Sequence, residues 1–348
     1  METGEWRERT TISSSVVGGG GMRVGVVGPG GPDRFADNIG DALGRAGHVV
    51  TQLGPARPNA QGGLAGSVKL AARQAVPRLD ERAQRRIVRS ALAAGCQVVI
   101  NIDARLMRGA VTQLKRAGLR VAFWYPDHVG NLGRQLMLLA PYDALFFKEP
   151  HLVERLRANL DLPVYYLPQG CNPRWHRPLG PAGSDPHLVI AGSMYPSRVR
   201  LLERLIAKGI PLRVHGGRFP RWMGQTPLRD AHTGLVVLRE DKARAFRSAA
   251  GVLNTMYPAE IDGVNSRLFE AAGCGAAVLT EFRPTVPDLF DVGREVLAFH
   301  DFDELVDQAT RLLNEAGLTK RLGDAAAARA HRDHSYDLRV ATILEKVS

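Results

Sequence analysis

The chain has 348 residues, 45% of them hydrophobic, with a formal net charge of +11. This length predicts two domains rather than one, and no apolar run approaches the ~18 residues of a membrane-spanning helix. The charge favours an anionic partner, whether nucleic acid, anionic lipid or a phosphorylated substrate, although arginine spread over many predicted helices reads more simply as solvated helix faces. Cys96, Cys171 and Cys274 are odd in number, far apart and without metal-ligand spacing, which argues against a disulfide framework and for a reducing cytoplasm.

Residues 1–21 hold Ser13, Ser14, Ser15 and four consecutive glycines, without the apolar core of a secretory signal. A disordered leader is expected there, and Met22, directly before the first strand, is a candidate start. The apolar strand at 23–27 closes on Gly28, Pro29, Gly30 and Gly31. A helix over about 33–46 places Phe35, Ile39, Leu43 and Ala46 on one stripe and stops at Gly47. A strand at 48–53 follows, then a helical stretch over 66–94 interrupted near Pro77. The strand at 97–102 is apolar at nearly every position, as expected where both faces are covered. A helix at 105–117, strands at 119–125, 143–147 and 163–167, and a helix opening near Pro150 complete a doubly wound α/β domain over residues 22–170.

Five prolines between 168 and 186 mark a linker, placed at 171–186. The alternation then restarts, with strands at 187–191, 211–215, 235–238, 251–254, 276–280 and 296–299. Helices at 197–208 and 241–249 lie between them. A second α/β domain is therefore expected over 187–333. Helices at 301–315, 318–331 and 336–346 close the chain. Two such domains make a cleft, and ligands of α/β sheets bind beyond the carboxyl ends of strands. Gly30, Asp103, Asp127, His128, Glu149, Gly192, Gly216 and the loop after Asn254 all lie at such ends.

That last loop is the most specific signal. Asp262 is followed by Gly263, Asn265, Arg267 and then Glu270, with Gly273 and Gly275 ending a short helix before the strand at 276–280. The glycine lets the backbone approach a ligand, the helix N-terminus offers N–H groups to a diphosphate, and the two carboxylates can accept from sugar hydroxyls. This pattern predicts a glycosyltransferase that uses a nucleotide sugar.

Several short motifs stand in a fixed order: Val189, Ile190, Ala191, Gly192 and Ser193 with Pro196 and Arg198; Val214, His215, Gly216 and Gly217; and Val252, Leu253 and Asn254 before Asn265, Arg267, Phe269, Glu270, Gly273, Cys274 and Gly275. Leu289 and Phe290, then Glu295 and Phe299, then Asp303, Glu304 and Leu305 continue it, and His334, Ser335, Tyr336 and Arg339 end it. Over residues 188–344 the chain resembles the CgeB-like (spore-maturation) branch of glycosyltransferases. Trp124, Tyr125, Pro126 and Asp127, and Leu167, Pro168, Gln169 and Gly170, match more loosely. The resemblance implies the GT-B architecture, two Rossmann-like doubly wound domains facing a cleft. The C-terminal domain would bind the donor and the N-terminal domain the acceptor. It implies that Glu270 holds the nucleotide ribose and that Asp262, one methylene shorter than the glutamate of the broader retaining enzymes, contacts the transferred sugar. By analogy the anomeric configuration is retained, and the segment 334–348 packs back on the first domain.

Around this framework, Arg198 and Arg267 are candidates to grip the departing diphosphate. The alternative has Arg198 opening a helix toward solvent and Arg267 pairing with Glu270. Gly192, Ser193, Gly216, Gly263 and Asn265 join the donor set through their loops. Asn254 either lines the donor pocket or caps a strand end. Asp127 or His128 could receive the acceptor proton, unless Asp127 caps a turn and the leaving phosphate takes the proton. The loop at 28–31 departs from a dinucleotide fingerprint, because Asp33 stands where its third glycine belongs and no acidic residue ends the second strand. Gly30 and Gly31 instead let a substrate or the facing domain approach.

No metal-ligand spacing and no Asp-x-Asp after a strand is present, so the expected mechanism is metal-independent, with the nucleotide sugar as substrate and no cofactor. Lys69, Arg73, Arg78, Arg82, Arg85, Arg86 and Arg89, interleaved with Leu70, Val76, Leu79, Ile87, Val88 and Leu92, could rest on an anionic membrane at the inner face. The plainer expectation is that this apolar stripe packs on its own sheet. The acceptor would be a small molecule, a glycan or a lipid-linked group, and nucleic acid is not expected. Two rivals share the cleft: a nucleotide-sugar epimerase, and a non-catalytic protein that binds a polyanion or envelope component.

Overall fold

The computed structural model describes residues 21–56, 77–131, 135–315 and 317–348. The predicted leader, apart from Gly21, lies outside the described residues, as do Lys69, Leu70, Arg73 and Val76 of the basic stretch.

The first lobe is a parallel sheet of order β2-β1-β3-β4-β5-β6. Its strands are β1 (Arg23–Val27), β2 (Val49–Gly54), β3 (Val98–Asn101), β4 (Arg120–Trp124), β5 (Ala144–Phe147) and β6 (Val164–Tyr166). Every residue of β3 and β5 is buried, the continuous apolar pattern of strands covered on both faces. One cover is α2 (Pro77–Ala93), which places Ile87, Val88 and Ala91 in the core. Of its apolar stripe, Ile87 and Val88 are therefore packed on its own sheet, whereas Leu92 is exposed. The crossovers α1 (Phe35–Arg45), α3 (Arg108–Arg116) and α4 (Pro150–Leu160) complete the layers.

The second lobe has sheet order β11-β10-β9-β7-β8, built from β7 (Asp185–Ala191), β8 (Leu212–His215), β9 (Ala249–Asn254), β10 (Val278–Glu281) and β11 (Val296–Phe299). Around it lie α5 (Pro196–Ala207), α6 (Leu228–Ala231), α7 (Arg239–Ser248), α8 (Ser266–Gly273), α9 (Val286–Leu289), α10 (Phe302–Asn314) and α11 (Leu318–Asp333). In each sheet the strand order reverses beside the first strand, at β1 and at β7, so the loops leaving those strands mark the two switch points where α/β folds take ligands.

One predicted strand is corrected. Residues 235–238 join no sheet, because the chain returning beside β8 meets it in an isolated bridge from His232 to Val214, with Thr233 N–H donating to the Val214 carbonyl, and in a bond from Gly216 N–H to the Leu235 carbonyl. Leu235 and Val236 are exposed to 64% and 61%, so this β-branched run has no neighbour to pair with. Composition alone did not mark the short helices α6 and α9. The proline-rich segment is also more than a tether. Cys171, Asn172 and His176 are completely buried, and the Asn172 side chain bonds Asp41 and accepts from Arg45, both on α1.

The last helix, α12 (Tyr336–Val347), crosses to the first lobe. Ser335 caps it by accepting from Leu338 N–H. Tyr336, Val340, Ile343 and Val347 pack with Val24, Ile100 and Trp124 in one cluster. Tyr336 meets Trp124 edge-on, with ring centroids 6.1 Å apart. The chain terminus thus seals one face of the first sheet. Tyr336→Ala should lower the unfolding free energy by about 3–5 kcal/mol, the usual cost of emptying a large aromatic site, as read by urea denaturation. An unchanged midpoint would mean that the first lobe does not depend on this helix.

Candidate active site

The two switch-point loops face each other. After β1 the chain turns through Gly31, with φ +130°, and Asp33, with φ +60°. After β7 it turns through Gly192, with φ +124°, a conformation that side chains other than glycine rarely adopt. Between these loops lies a cavity of about 550 Å³. Gly30, Gly31 and Asp33 form its first-lobe wall. Gly192, Ser193, His215, Gly216, Lys242, Arg267 and Glu270, with Val236 and Val237, form the opposite one. Exposed Val236 and half-buried Val237, with Leu238 beside them, thus supply an apolar end to the cleft.

Helix α8 sets the geometry of Arg267 and Glu270. Asn265 is its N-cap, accepting from Arg267 N–H at 3.1 Å, while its amide nitrogen donates to the Thr255 carbonyl. One turn separates Arg267 from Glu270, and their side chains meet at 2.6 Å. The same Glu270 oxygen lies 2.9 Å from Lys242 Nζ. Lys242 also reaches Asp33 Oδ2 at 2.6 Å, and Asp33 Oδ1 lies 3.0 Å from His176 Nε2. Arg239 N–H donates to Asp33 Oδ2 at 2.8 Å. A first-lobe carboxylate, a linker histidine and a second-lobe ion triad therefore form one buried network.

Burial by itself would raise the pKa of Glu270, but the charges of Arg267 and Lys242 outweigh it and lower the value to about 2. Burial likewise opposes ionisation of Asp33, yet the His176 hydrogen bond and Lys242 hold that carboxyl well below the usual range. Burial pushes His176 down. A neutral ring that donates from Nε2 to Asp33 leaves Nδ1 to accept from Asn172 N–H at 3.0 Å, as observed.

Beside the cavity floor stands a second cationic feature. A Cβ placed on Gly192 would lie 3.7 Å from both Arg198 Nη1 and Arg267 Nη2. Arg198 is anchored by uncharged partners: Nε donates to Thr255 Oγ1 at 2.8 Å, Nη2 to the Thr255 carbonyl and Nη1 to the Ser193 carbonyl. Its guanidinium carbon sits 4.4 Å from the Tyr195 ring centroid. Burial lowers its pKa, and the charge of Arg267 acts in the same direction. Two guanidinium groups thus converge on a backbone without a side chain.

The remaining sequence candidates lie elsewhere. Asn254 is buried and donates to Thr280 Oγ1 at 3.1 Å across the sheet, the strand-end arrangement. Asp262 and Gly263 sit in a separate seam between the lobes. Their N–H groups donate to Glu149 Oε2 at 3.0 and 2.8 Å, and Asp262 Oδ2 accepts from His151 N–H at 2.8 Å. A Cβ on Gly263 would stand 2.5 Å from the Lys148 carbonyl oxygen, so its missing side chain admits the facing lobe. Asp127 caps a turn, accepting from His128 N–H and from the Asn131 amide. The His128 ring is buried and stacks on Tyr257 of the second lobe at 4.3 Å. Asp103, at another strand end, is engaged by Arg105 and by Ala56 N–H.

Lys242, His176 and the role of Asp33 went unseen in the sequence. Lys242 lies in a charged helix where nothing distinguishes it from its neighbours, and His176 lies in a segment read as linker. Asp33 was visible only as the residue that breaks a dinucleotide fingerprint.

Residues 198–345 match a family model described as glycosyl transferase-like. The spore protein CgeB of Bacillus subtilis (strain 168) is 22% identical over 228 residues, covering 61% of this chain and 70% of that protein. A glycosyltransferase from Rickettsia africae ESF-5 superposes with a TM-score of 0.65 at 12% identity, over 93% of this chain and 97% of that one. Anabaena HepE, solved in complex with UDP-glucose, gives a TM-score of 0.64 at 13% identity, over 93% and 98%. The two facing parallel-sheet lobes are the GT-B fold, and the chain is a glycosyltransferase of that fold. Its similarity to that family model and to CgeB agrees with the order of its motifs.

The network carries a pH signature. Glu270 has a folded pKa of about 2 against an ordinary 4.5. Its contribution to stability is complete above the ordinary value and is lost as pH falls toward 2. Melting temperature should therefore drop over that acid range, and Glu270→Gln should flatten the drop when melting is followed against pH. Lys242→Met, which leaves Asp33 and Glu270 buried without their shared cation, should destabilise by about 3–5 kcal/mol, measured by chemical denaturation.

Proposed function

We propose that this glycosyltransferase takes a nucleotide sugar in the 550 Å³ cleft and transfers the sugar, with retention and without a metal, to an acceptor hydroxyl presented from the first lobe. The observation that carries the donor assignment is the pair Arg198 and Arg267 converging on Gly192. Adjacent guanidinium groups, one of them held only by uncharged partners, form a site for a diphosphate that spans both. The Gly192 and Gly31 loops allow close backbone approach on either side. Glu270, ionised and lining the cavity, suits the hydroxyl pair of a ribose, and the apolar Val236 and Val237 suit the face of a base. HepE, of the same fold, is solved with UDP-glucose, which supports the same class of donor here.

In the reaction the bond from the anomeric carbon to the diphosphate breaks while a bond to the acceptor oxygen forms. Negative charge builds on the leaving oxygen, where the two arginines are already oriented to meet it. The acceptor proton passes to that departing phosphate. Asp127 is occupied as a turn cap, and His128 is stacked within the interlobe loop contact, so neither is required as base. Retention rests on the family analogy. The three described cysteines are free and buried, which suits a reducing cytoplasm.

A thermal-shift screen against UDP, GDP, dTDP and ADP and their sugars should show stabilisation by one donor class, because ligand that binds only the folded state raises the melting temperature. Arg198→Ala, Arg267→Ala and Glu270→Ala should each remove most of that shift. No shift with any of these compounds in the intact protein would sink the donor assignment. For the active donor, proton NMR of the product should show the donor's anomeric configuration, and inversion would refute the retaining assignment.

A further inference from the structure

Asp33 lines the donor cleft but was given no donor group to hold, yet it is firmly fixed there. Its side chain is 0% exposed. Its backbone lies at φ +60°, a region that a residue other than glycine keeps only when its surroundings hold it there. The surroundings do so. Asp33 N–H donates to Asp37 Oδ2 at 2.7 Å, and Arg239, which bonds the Asp33 carboxylate through its own N–H, also pairs with Asp37 at 2.7 Å. The first lobe thus delivers one carboxylate to Lys242, a second-lobe ammonium whose other partner is Glu270.

We propose that Asp33 is a positioning residue for the donor site: it shares Lys242 with Glu270 and so sets how much of the Glu270 charge is free for the donor's ribose. The proposal rests on the nucleotide-sugar reading of the cleft. The physical argument is competition for one cation. With Asp33 ionised, Lys242 is divided between two carboxylates and is held at 2.6 Å from one and 2.9 Å from the other. Without the Asp33 charge, Lys242 is left to Glu270 alone. The ammonium then competes with ribose hydroxyls for the same oxygen. Because Asp33 stands in the first lobe and Glu270 in the second, the ribose carboxylate is correctly tuned only while the lobes are docked. Donor affinity and lobe docking become two readings of one equilibrium.

Asn is the sharp test, because Asp33→Asn keeps the size, tolerates φ above zero, still accepts from Arg239 N–H, and removes the charge, with the His176 bond lost because the new amide nitrogen faces the Nε2 donor. Isothermal titration with UDP-glucose, GDP-mannose, dTDP-glucose and ADP-glucose would be run on the wild type, Asp33→Asn, Glu270→Gln and the double variant. Asp33→Asn should weaken the bound donor about tenfold, and the same change on the Glu270→Gln background should alter affinity less than about twofold, because the residue it acts through is gone. Lys242→Gln provides a second background, on which Asp33→Asn should again add nothing. Equal losses in all backgrounds would reduce Asp33 to a general structural role and overturn the proposal while leaving the donor reading intact. Unchanged affinity in Asp33→Asn would also overturn it. A wild type that binds none of the four compounds overturns the donor reading and this proposal together.

Discussion

Lys242 is buried to 4% exposure with its ammonium between carboxylates from opposite lobes. Removing three charges from water is favourable only if each finds a partner in good geometry, so the arrangement demands that β1's loop, α7 and α8 meet at fixed distances. Those elements come from three places in the chain, and none reaches the others unless both sheets have formed and the linker has folded His176 into the gap. The cleft therefore follows from satisfying buried charge, and its polar wall is the exposed side of that same network.

A second interlobe seam uses the same residue types to the opposite effect. Glu149 lies against Asp262, and burial together with that neighbouring carboxyl raises its pKa despite the nearby Lys148. Glu270, with two cations on one oxygen, is driven down to about 2. One seam is held by ion pairs between its side chains, and the other also by main-chain N–H groups that donate across it, from Asp262 and Gly263 to Glu149 and from His151 to Asp262. A buried Lys148–Glu260 pair completes the second seam. The lobes are thus docked at two points of different chemistry, one beside the cleft and one beyond it. Opening the cleft about the second seam would separate Asp33 from Lys242 and Asp37 from Arg239.

Much of the fold was legible, because alternating apolar strands and amphipathic helices report burial through a local period. Strands such as β3 and β5, apolar at nearly every position, have only one environment that suits them. The segment 235–238 misled because β-branched apolar residues score as strand whether they pair with a neighbour or line a cleft, and only the missing neighbour decides. At the site, Arg267 and Glu270 were legible because they belong to one helix turn next to a glycine loop. Asp262 and Gly263 were read as ligand-facing from the same pattern, but sequence spacing does not say which lobe a loop turns toward, and here it turns to Glu149. Lys242 and His176 were illegible for a related reason: their carboxylate partners, Glu270 and Asp33, lie more than 25 residues away in sequence.

The position of Arg198 shows what the cleft lacks as built. Within the Asp33, Lys242, Glu270 and Arg267 network, two carboxylates face two cations, so the network is balanced. Arg198 stands outside it, its donors directed to the Thr255 and Ser193 carbonyls and the Thr255 hydroxyl, with a second guanidinium beside the glycine they share. Carbonyl oxygens orient a guanidinium without neutralising it, and partial burial strengthens its field toward whatever enters. A balanced network fixes the geometry while an unbalanced arginine supplies the attraction. An anion arriving at Gly192 relieves the repulsion between Arg198 and Arg267 without displacing a carboxylate, so binding at that floor requires no ion pair to be broken.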